Sequence, residues 1–153
     1  MKWSAFWEKS MSPTEVNRAL VRSTGRVLET MCYAEPLPIT GVEEGQAFLR
    51  AKLPFRGTYS GVFHLEITED AGRSLATTFL GADEDVPAAQ MTSVICELTN
   101  MICGSMLSTL DAHADIQLGA PEMVEDTEGF AEATVRKAFE IDHGQMAVAI
   151  QFN

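Results

Sequence analysis

The stretch from residue 86 to residue 111, VPAAQMTSVICELTNMICGSMLSTLD, constrains the fold more than any other part of the chain. It is patterned as one long helix, with Pro87 near the first turn and Asp85 placed to act as N-cap. At 100° per residue, Met91, Val94, Ile95, Leu98, Ile102, Ser105 and Thr109 share one broad, mostly apolar arc. A helix of this kind needs a core against which to bury that arc. On the opposite side, Ser93, Glu97, Asn100 and Gly104 fall within about a sixth of the circumference. A carboxylate, a carboxamide and a glycine thus stack along one exposed line.

Polar residues opposite an apolar stripe are what any solvated helix face shows. Asn100 and Gly104 are nevertheless poor residues for the middle of a helix. The Asn side chain competes for the backbone, and Gly loses more entropy on folding than any other residue. Gly104 also removes a side chain one turn beyond Asn100, so another surface can approach the backbone there.

The chain of 153 residues fits one domain with a sizeable core, and its 46% hydrophobic and 22% charged content is that of a globular protein. Its formal net charge of −11 argues against nucleic acid, whose recognition rests on Lys and Arg neutralising phosphates, and against an anionic membrane surface. Cys32, Cys96 and Cys103 are odd in number, lack CxxC spacing and fall in helical patterns, which points to buried, reduced thiols and a cytoplasmic protein. They have no nearby His to complete a metal site, and no metal is expected to belong to this chain. No apolar run approaches the roughly 20 residues that span a membrane. The N-terminus has neither the apolar run nor the cleavage pattern of a secretory signal.

Residues 1–12 carry Trp3, Phe6 and Trp7 and form an aromatic segment that either docks on the domain of residues 13–153, the favoured expectation, or meets a partner. Ser12-Pro13-Thr14-Glu15 opens a helix as N-cap, first position and capping-box acid, with Val16, Leu20, Val27, Leu28 and Met31 on its buried side. That helix is expected to run to about Cys32, before Pro36 and Pro38. Two runs of period two, 47–55 and 59–67, flank Arg56-Gly57-Thr58 and predict a hairpin with one face on a core; His64, on the outer register, is expected at the surface. A short helix follows, roughly 73–80, ending at Gly81, and the acidic link 82–85 suits the positive end of the next helix. Beyond the central helix, Ile116 and Leu118 mark a short strand, 122–129 an acidic loop, and 130–139 and 145–152 two strands joined at Asp142-His143-Gly144. The order predicts an α/β (α+β) domain with helices packed on a mainly antiparallel sheet. No nucleotide-binding glycine loop, GxSxG or HExxH is present.

The run Ser93-Val-Ile-Cys-Glu97-Leu-Thr-Asn100-Met-Ile-Cys-Gly104 resembles the signature of the CheC/CheX/FliY family of chemotaxis phosphatases. In that family an Asp or Ser precedes Glu-x-x-Asn in a surface helix, and a Gly commonly follows the Asn. CheC carries two such helices; the first helix here has no Glu-x-x-Asn, and a single copy is the CheX pattern. The CheC-type spacing to a following Pro is not kept at Pro121, which receives no role.

The resemblance implies hydrolysis of the aspartyl phosphate of a CheY-like response regulator receiver domain. In that reading Asn100 orients the attacking water and Glu97 docks to a receiver Lys, while Ser93 and Gly104 contribute to partner contact. It further implies Mg²⁺ supplied by the receiver rather than bound by this chain, and a homodimer like that of CheX relatives. A second reading keeps the same fold as a non-catalytic module that binds a receiver or a flagellar switch protein.

Overall fold

The computed structural model describes residues 12–43, 46–125, 130, 133 and 135–153. Apart from Ser12, the aromatic N-terminal segment lies outside the described residues, as do 126–129 of the expected acidic loop and 131, 132 and 134 of the strand expected to follow it.

Helix α1 (Pro13–Cys32) begins as its sequence predicts. The Ser12 hydroxyl oxygen accepts the Glu15 backbone N–H at 3.2 Å, and Pro13 occupies the first helical position, where its missing N–H is not needed. It ends at Tyr33 in the left-handed region (φ 50°), where Tyr33 and Ala34 donate back to the carbonyls of Glu29 and Leu28. Val16, Leu20, Val27 and Leu28 are buried, whereas Met31 is only partly so.

The strands are β1 (Leu37–Ile39), β2 (Phe48–Gly57), β3 (Gly61–Thr68), β4 (Ile116–Leu118), β5 (Glu122–Val124), β6 (Val135–Ile141) and β7 (Gly144–Phe152). They form one antiparallel sheet in the order β1-β6-β7-β3-β2-β4, with β5 also on β2. The predicted architecture is therefore the observed one, with two strands added. Leu37-Pro38-Ile39, expected to be only the break after α1, pairs with β6; Pro is tolerated because β1 is an edge strand. Residues 122–124, expected in a loop, pair with Lys52, Ala51 and Arg50 of β2.

One edge of β2 is shared by β4 and β5, and Pro54 explains the division. Pro54 has no N–H to donate, but its carbonyl accepts Gly119 N–H at 2.7 Å, so pairing pauses at this point and resumes beyond it. A Cβ on Gly119 would lie 2.8 Å from Pro54 Cγ, so the bend needs glycine.

Helices α1, α2 (Glu69–Leu80) and α3 (Ala88–Leu110) cover one face of the sheet. Phe63, Leu65 and Ile67 of β3 meet Met146, Val148 and Ile150 of β7 in register beneath them, and all six are buried. Residues 69–72, which open this helix in the sequence, already belong to α2: Glu69 and Asp70 lie in its first turn, where their charge suits the helix dipole. Its predicted end at Gly81 is observed, with φ 63°.

His64 corrects the surface expectation. It lies on the second sheet face but is only 5% exposed, with the Phe130 ring edge-on at 6.0 Å. Central strand β3 is flanked on both sides, so its outward positions are shielded by neighbours; Glu66, paired with Arg50 at 3.1 Å, is buried as well. Burial raises the Glu66 carboxyl above its ordinary range, while the Arg50 and Arg136 charges oppose the shift.

Candidate functional site

Helix α3 starts at Ala88 rather than Val86, and its N-cap is Pro87 rather than Asp85. Pro87 is extended (φ −61°, ψ 155°), and its carbonyl accepts the first helical N–H, from Met91, at 3.0 Å. Asp85 is thereby displaced two residues from the capping position, and no side chain caps the helix. The acidic link 82–85 therefore does not supply the first turn of α3 with charge.

What holds α3 is burial. Met91, Val94, Ile95, Leu98, Thr99, Ile102, Cys103, Met106 and Leu107 are buried. The buried arc is rotated from the predicted one, since Ser105 is half-buried and Thr109 exposed, while Thr99, Cys103 and Leu107 join the core. The rotation follows from α1, which packs along that flank in addition to the sheet beneath. Thr99 is accommodated because its hydroxyl donates to the Ile95 carbonyl at 2.7 Å. By length and composition alone α3 could cross a membrane, which the sequence pattern did not suggest, but its buried side makes it the core helix of this domain.

The opposite side presents the predicted line. Ser93 and Glu97 are exposed, and Asn100 and Gly104 are half-buried. Asn100 is not drawn into the core. At 1.5 Å per residue the line runs roughly 16 Å along the helix axis. The side-chain hydrogen bonds on α3 are made by Thr92, Thr99 and Thr109, each to a backbone carbonyl of the helix itself. Among the described residues, Ser93, Glu97 and Asn100 form no hydrogen bond or ion pair through their side chains. Each keeps its full bonding capacity for something outside the chain: a carboxylate that accepts, and a carboxamide that both donates and accepts.

Gly104 has little internal reason to be glycine. A Cβ there would meet only Leu118 Cδ1, at 3.6 Å, an ordinary van der Waals contact. Beyond the C-terminal end of the line, Asp111 anchors the helix by accepting the Tyr59 hydroxyl at 3.0 Å and the His113 N–H at 3.0 Å.

Cysteine chemistry does not fit this surface. Burial lifts the Cys103 thiol far above its usual range, pushes Cys32 up to about 11, and raises Cys96 beside the line as well. All three are free thiols held in their neutral form. Among the described residues, no group of three or more His, Cys, Asp or Glu converges as metal ligands do.

Two features were not drawn from the sequence pattern. Phe79 and Leu80, in the last turn of α2, lie beside Ser93 and Glu97 across a surface groove. Charge is also divided unevenly: no Lys or Arg occurs from Ser74 to Val135, although half of the 22 acidic residues do. That asymmetry was readable in the sequence, whereas the groove needed the packing of α2 on α3.

The fold and the α3 line together define a class: a helix-on-sheet domain presenting a carboxylate and a carboxamide, one turn apart, on its central helix. The profile of the family described as chemotaxis phosphatase CheX matches residues 50–143, and the chain belongs to that family. No curated protein matches it by sequence. Its fold is similar to that of the chemotaxis protein CheX from Vibrio vulnificus, at 19% identity over 94% of this chain and 99% of that one, with a TM-score of 0.75. CheX from Desulfovibrio desulfuricans is similar at 21% identity, over 91% and 99% of the two chains, with a TM-score of 0.71. A third similar structure is the CheX-CheY-BeF3-Mg²⁺ complex from Borrelia burgdorferi, at 15% identity over 88% and 96%, with a TM-score of 0.66.

Proposed function

We propose that the protein hydrolyses the aspartyl phosphate of a CheY-like receiver domain. The observation that carries this reading is the pair Glu97 and Asn100, unengaged within the chain and aligned on the outer side of α3, in a member of the CheX family. The existence of a CheX–CheY complex among the similar folds supports the choice of partner.

The chemistry asked of this chain is modest. Water attacks phosphorus in line, the bond between phosphorus and the aspartyl oxygen breaks, and the carboxylate leaves with the bonding electron pair. The water proton passes to the phosphate oxygens or solvent, giving inorganic phosphate. Mg²⁺, bound by the receiver, neutralises charge on the transferring group. Positioning and electrostatics dominate such a reaction. Asn100 fits the positioning role because its amide can accept a hydrogen bond from the water and donate one to the phosphoryl group without changing charge. Glu97, one turn away on the same line, is suited to a Lys of the receiver and fixes the register of docking.

Gly104 acts by absence, letting the receiver surface approach the α3 backbone beyond Asn100. Gly104→Ala is expected to leave the unfolding free energy unchanged or raise it, by up to about 1 kcal/mol from helix propensity, because the Cβ has room in this chain. The same substitution should raise KM for the phosphorylated receiver several-fold. Parallel urea melts and initial-rate measurements separate the two effects.

The direct test is release of inorganic phosphate from a receiver phosphorylated with phosphoramidate, measured with and without the protein in the presence of Mg²⁺. Acceleration above the receiver's own hydrolysis supports the proposal. No acceleration with any receiver of the source organism, alongside retained binding to a beryllofluoride-activated one, leaves a binding module in its place. A cytoplasmic location and a homodimer belong to the same proposal, the first tested by cell fractionation and the second by sedimentation analysis.

A further inference from the structure

We infer that the groove between the last turn of α2 and the first half of α3 seats an apolar side chain of the receiver, bracketed on the receiver by basic residues. The groove encloses about 640 Å³; Phe79, Leu80 and Ala82 form one wall, and Ala89, Val94 and Glu97 the other. This inference rests on the phosphatase reading of α3 and assigns that surface a second point of attachment.

Three observations carry it. The first is Leu80, which is 47% exposed although it ends an otherwise well-packed helix. Among the described residues, Tyr33, Leu37 and Leu80 are the large apolar side chains left so open, and of these Leu80 lines a groove shared with Glu97. Its exposure has a local cause: Gly81 turns the chain away in the left-handed conformation, and the link that follows, 82–85, is exposed, so among the described residues the chain after Gly81 does not fold back over the last turn of α2. A large side chain left beside a recess is the usual form of an interface anchor point.

The second observation is continuity. Ser93 and Glu97 belong both to the groove wall and to the Ser93–Asn100 line. Ser93 and Asn100 are seven residues apart, roughly 10 Å along the axis. An interface burying about 800 Å² on each partner has a radius of roughly 16 Å if circular. A receiver whose phosphoryl group sits at Asn100 therefore covers the groove without any change in its orientation.

The third is charge. Asp83 and Glu84 follow Ala82 at the rim, Glu97 stands on the opposite wall, and no Lys or Arg lines the groove. With no Lys or Arg in its lining, and with Arg73 held by the Val86 carbonyl and Glu69 beyond it, the groove offers an anionic partner no cation to pair with. An apolar side chain flanked by Lys or Arg satisfies both the floor and the rim. An aliphatic or aromatic anchor also gives the contact a means of discriminating among receivers that share the same phosphorylation chemistry.

The test uses the receiver that the full-length protein dephosphorylates, with kcat and KM read separately for three variants. Leu80→Lys, which removes the apolar wall and introduces a charge like that of the partner, is expected to raise KM about tenfold with kcat unchanged. Ala89→Trp, which fills the groove from the exposed side of α3, should do the same, and Leu80→Met should restore KM to near the wild-type value. Unfolding midpoints should match wild type, since both positions are open to solvent. Wild-type KM in Leu80→Lys and Ala89→Trp, with Asn100→Ala inactive, would overturn the groove assignment and leave the phosphatase reading standing. If Asn100→Ala is fully active, the placing of catalysis on the α3 line fails instead, and affinity for the beryllofluoride-activated receiver decides the groove: weakening by Leu80→Lys supports it, and unchanged affinity sinks it.

Discussion

Asn100→Ala is expected to lower kcat for receiver dephosphorylation by on the order of a hundredfold while leaving KM nearly unchanged. The reason lies in where the side chain sits. Asn100 is half-buried on the outer side of α3 and makes no bond within the described chain, so removing it disturbs neither the core nor a network. What disappears is an interaction with water that exists only as the phosphoryl group transfers. A hundredfold loss corresponds to about 2.7 kcal/mol of transition-state stabilisation. Glu97→Ala provides the contrast. It should raise KM about tenfold with little change in kcat, because it removes a charged contact made in ground state and transition state alike. Raising the salt from 0.05 to 0.5 M should erase much of the difference between Glu97→Ala and wild type, and almost none of the Asn100→Ala defect. If Asn100→Ala keeps wild-type kcat, catalysis is not located on this line.

The largest loss of stability is expected from Gly57→Ala, at the end of β2. Gly57 adopts φ 131°, a conformation that residues with a Cβ strongly avoid. An added Cβ would also collide with the Asp115 carbonyl oxygen and lie 3.1 Å from Ile116 Cα, both of them backbone. Neither can retreat easily, since Thr58 N–H donates to the Asp115 carbonyl and Asp115 N–H to the Thr58 hydroxyl, each at 3.0 Å. Strain and overpacking together should destabilise the fold by about 3 kcal/mol, or roughly 6–12 °C in Tm. Urea unfolding should show a lower midpoint at an unchanged slope. A midpoint equal to wild type would mean that the β2–β4 junction relaxes freely, contrary to its hydrogen bonding.

The parts of the molecule that were legible in the sequence are those where local chemistry and tertiary packing agree. Ser12, Pro13 and Glu15 begin α1 because capping needs only neighbours in sequence, and Gly81 ends α2 for the same reason. The Ser93–Gly104 line followed from helical period alone; Ser93 and Glu97 are exposed as expected, while Asn100 and Gly104 are half-buried. The parts not legible depend on partners remote in sequence. Residues 122–124 have no strand pattern of their own and become β5 only because β2 offers an edge beyond Pro54. Pro36 and Pro38 read in the sequence only as the end of α1, yet an outermost strand leaves one side of its backbone unpaired, so a missing N–H can be tolerated at Pro38. His64 alternates outward as expected but is buried because Phe130 lies against it. Asp85 is a good capping residue in isolation; the extended Pro87 moved the helix start beyond its reach.

The interruption of pairing at Pro54 has a consequence for how the protein behaves when crowded. An open sheet must finish somewhere, and a long bare strand invites indiscriminate stacking of chains. Here one margin is made of two three-residue pieces set apart by the bend at Gly119, and the other is a three-residue strand with proline at its centre. Among the described residues, neither margin strand runs beyond three residues as a template for fibrillar growth, so the domain can leave a helix face and a groove open for recognition without also offering an adhesive rim.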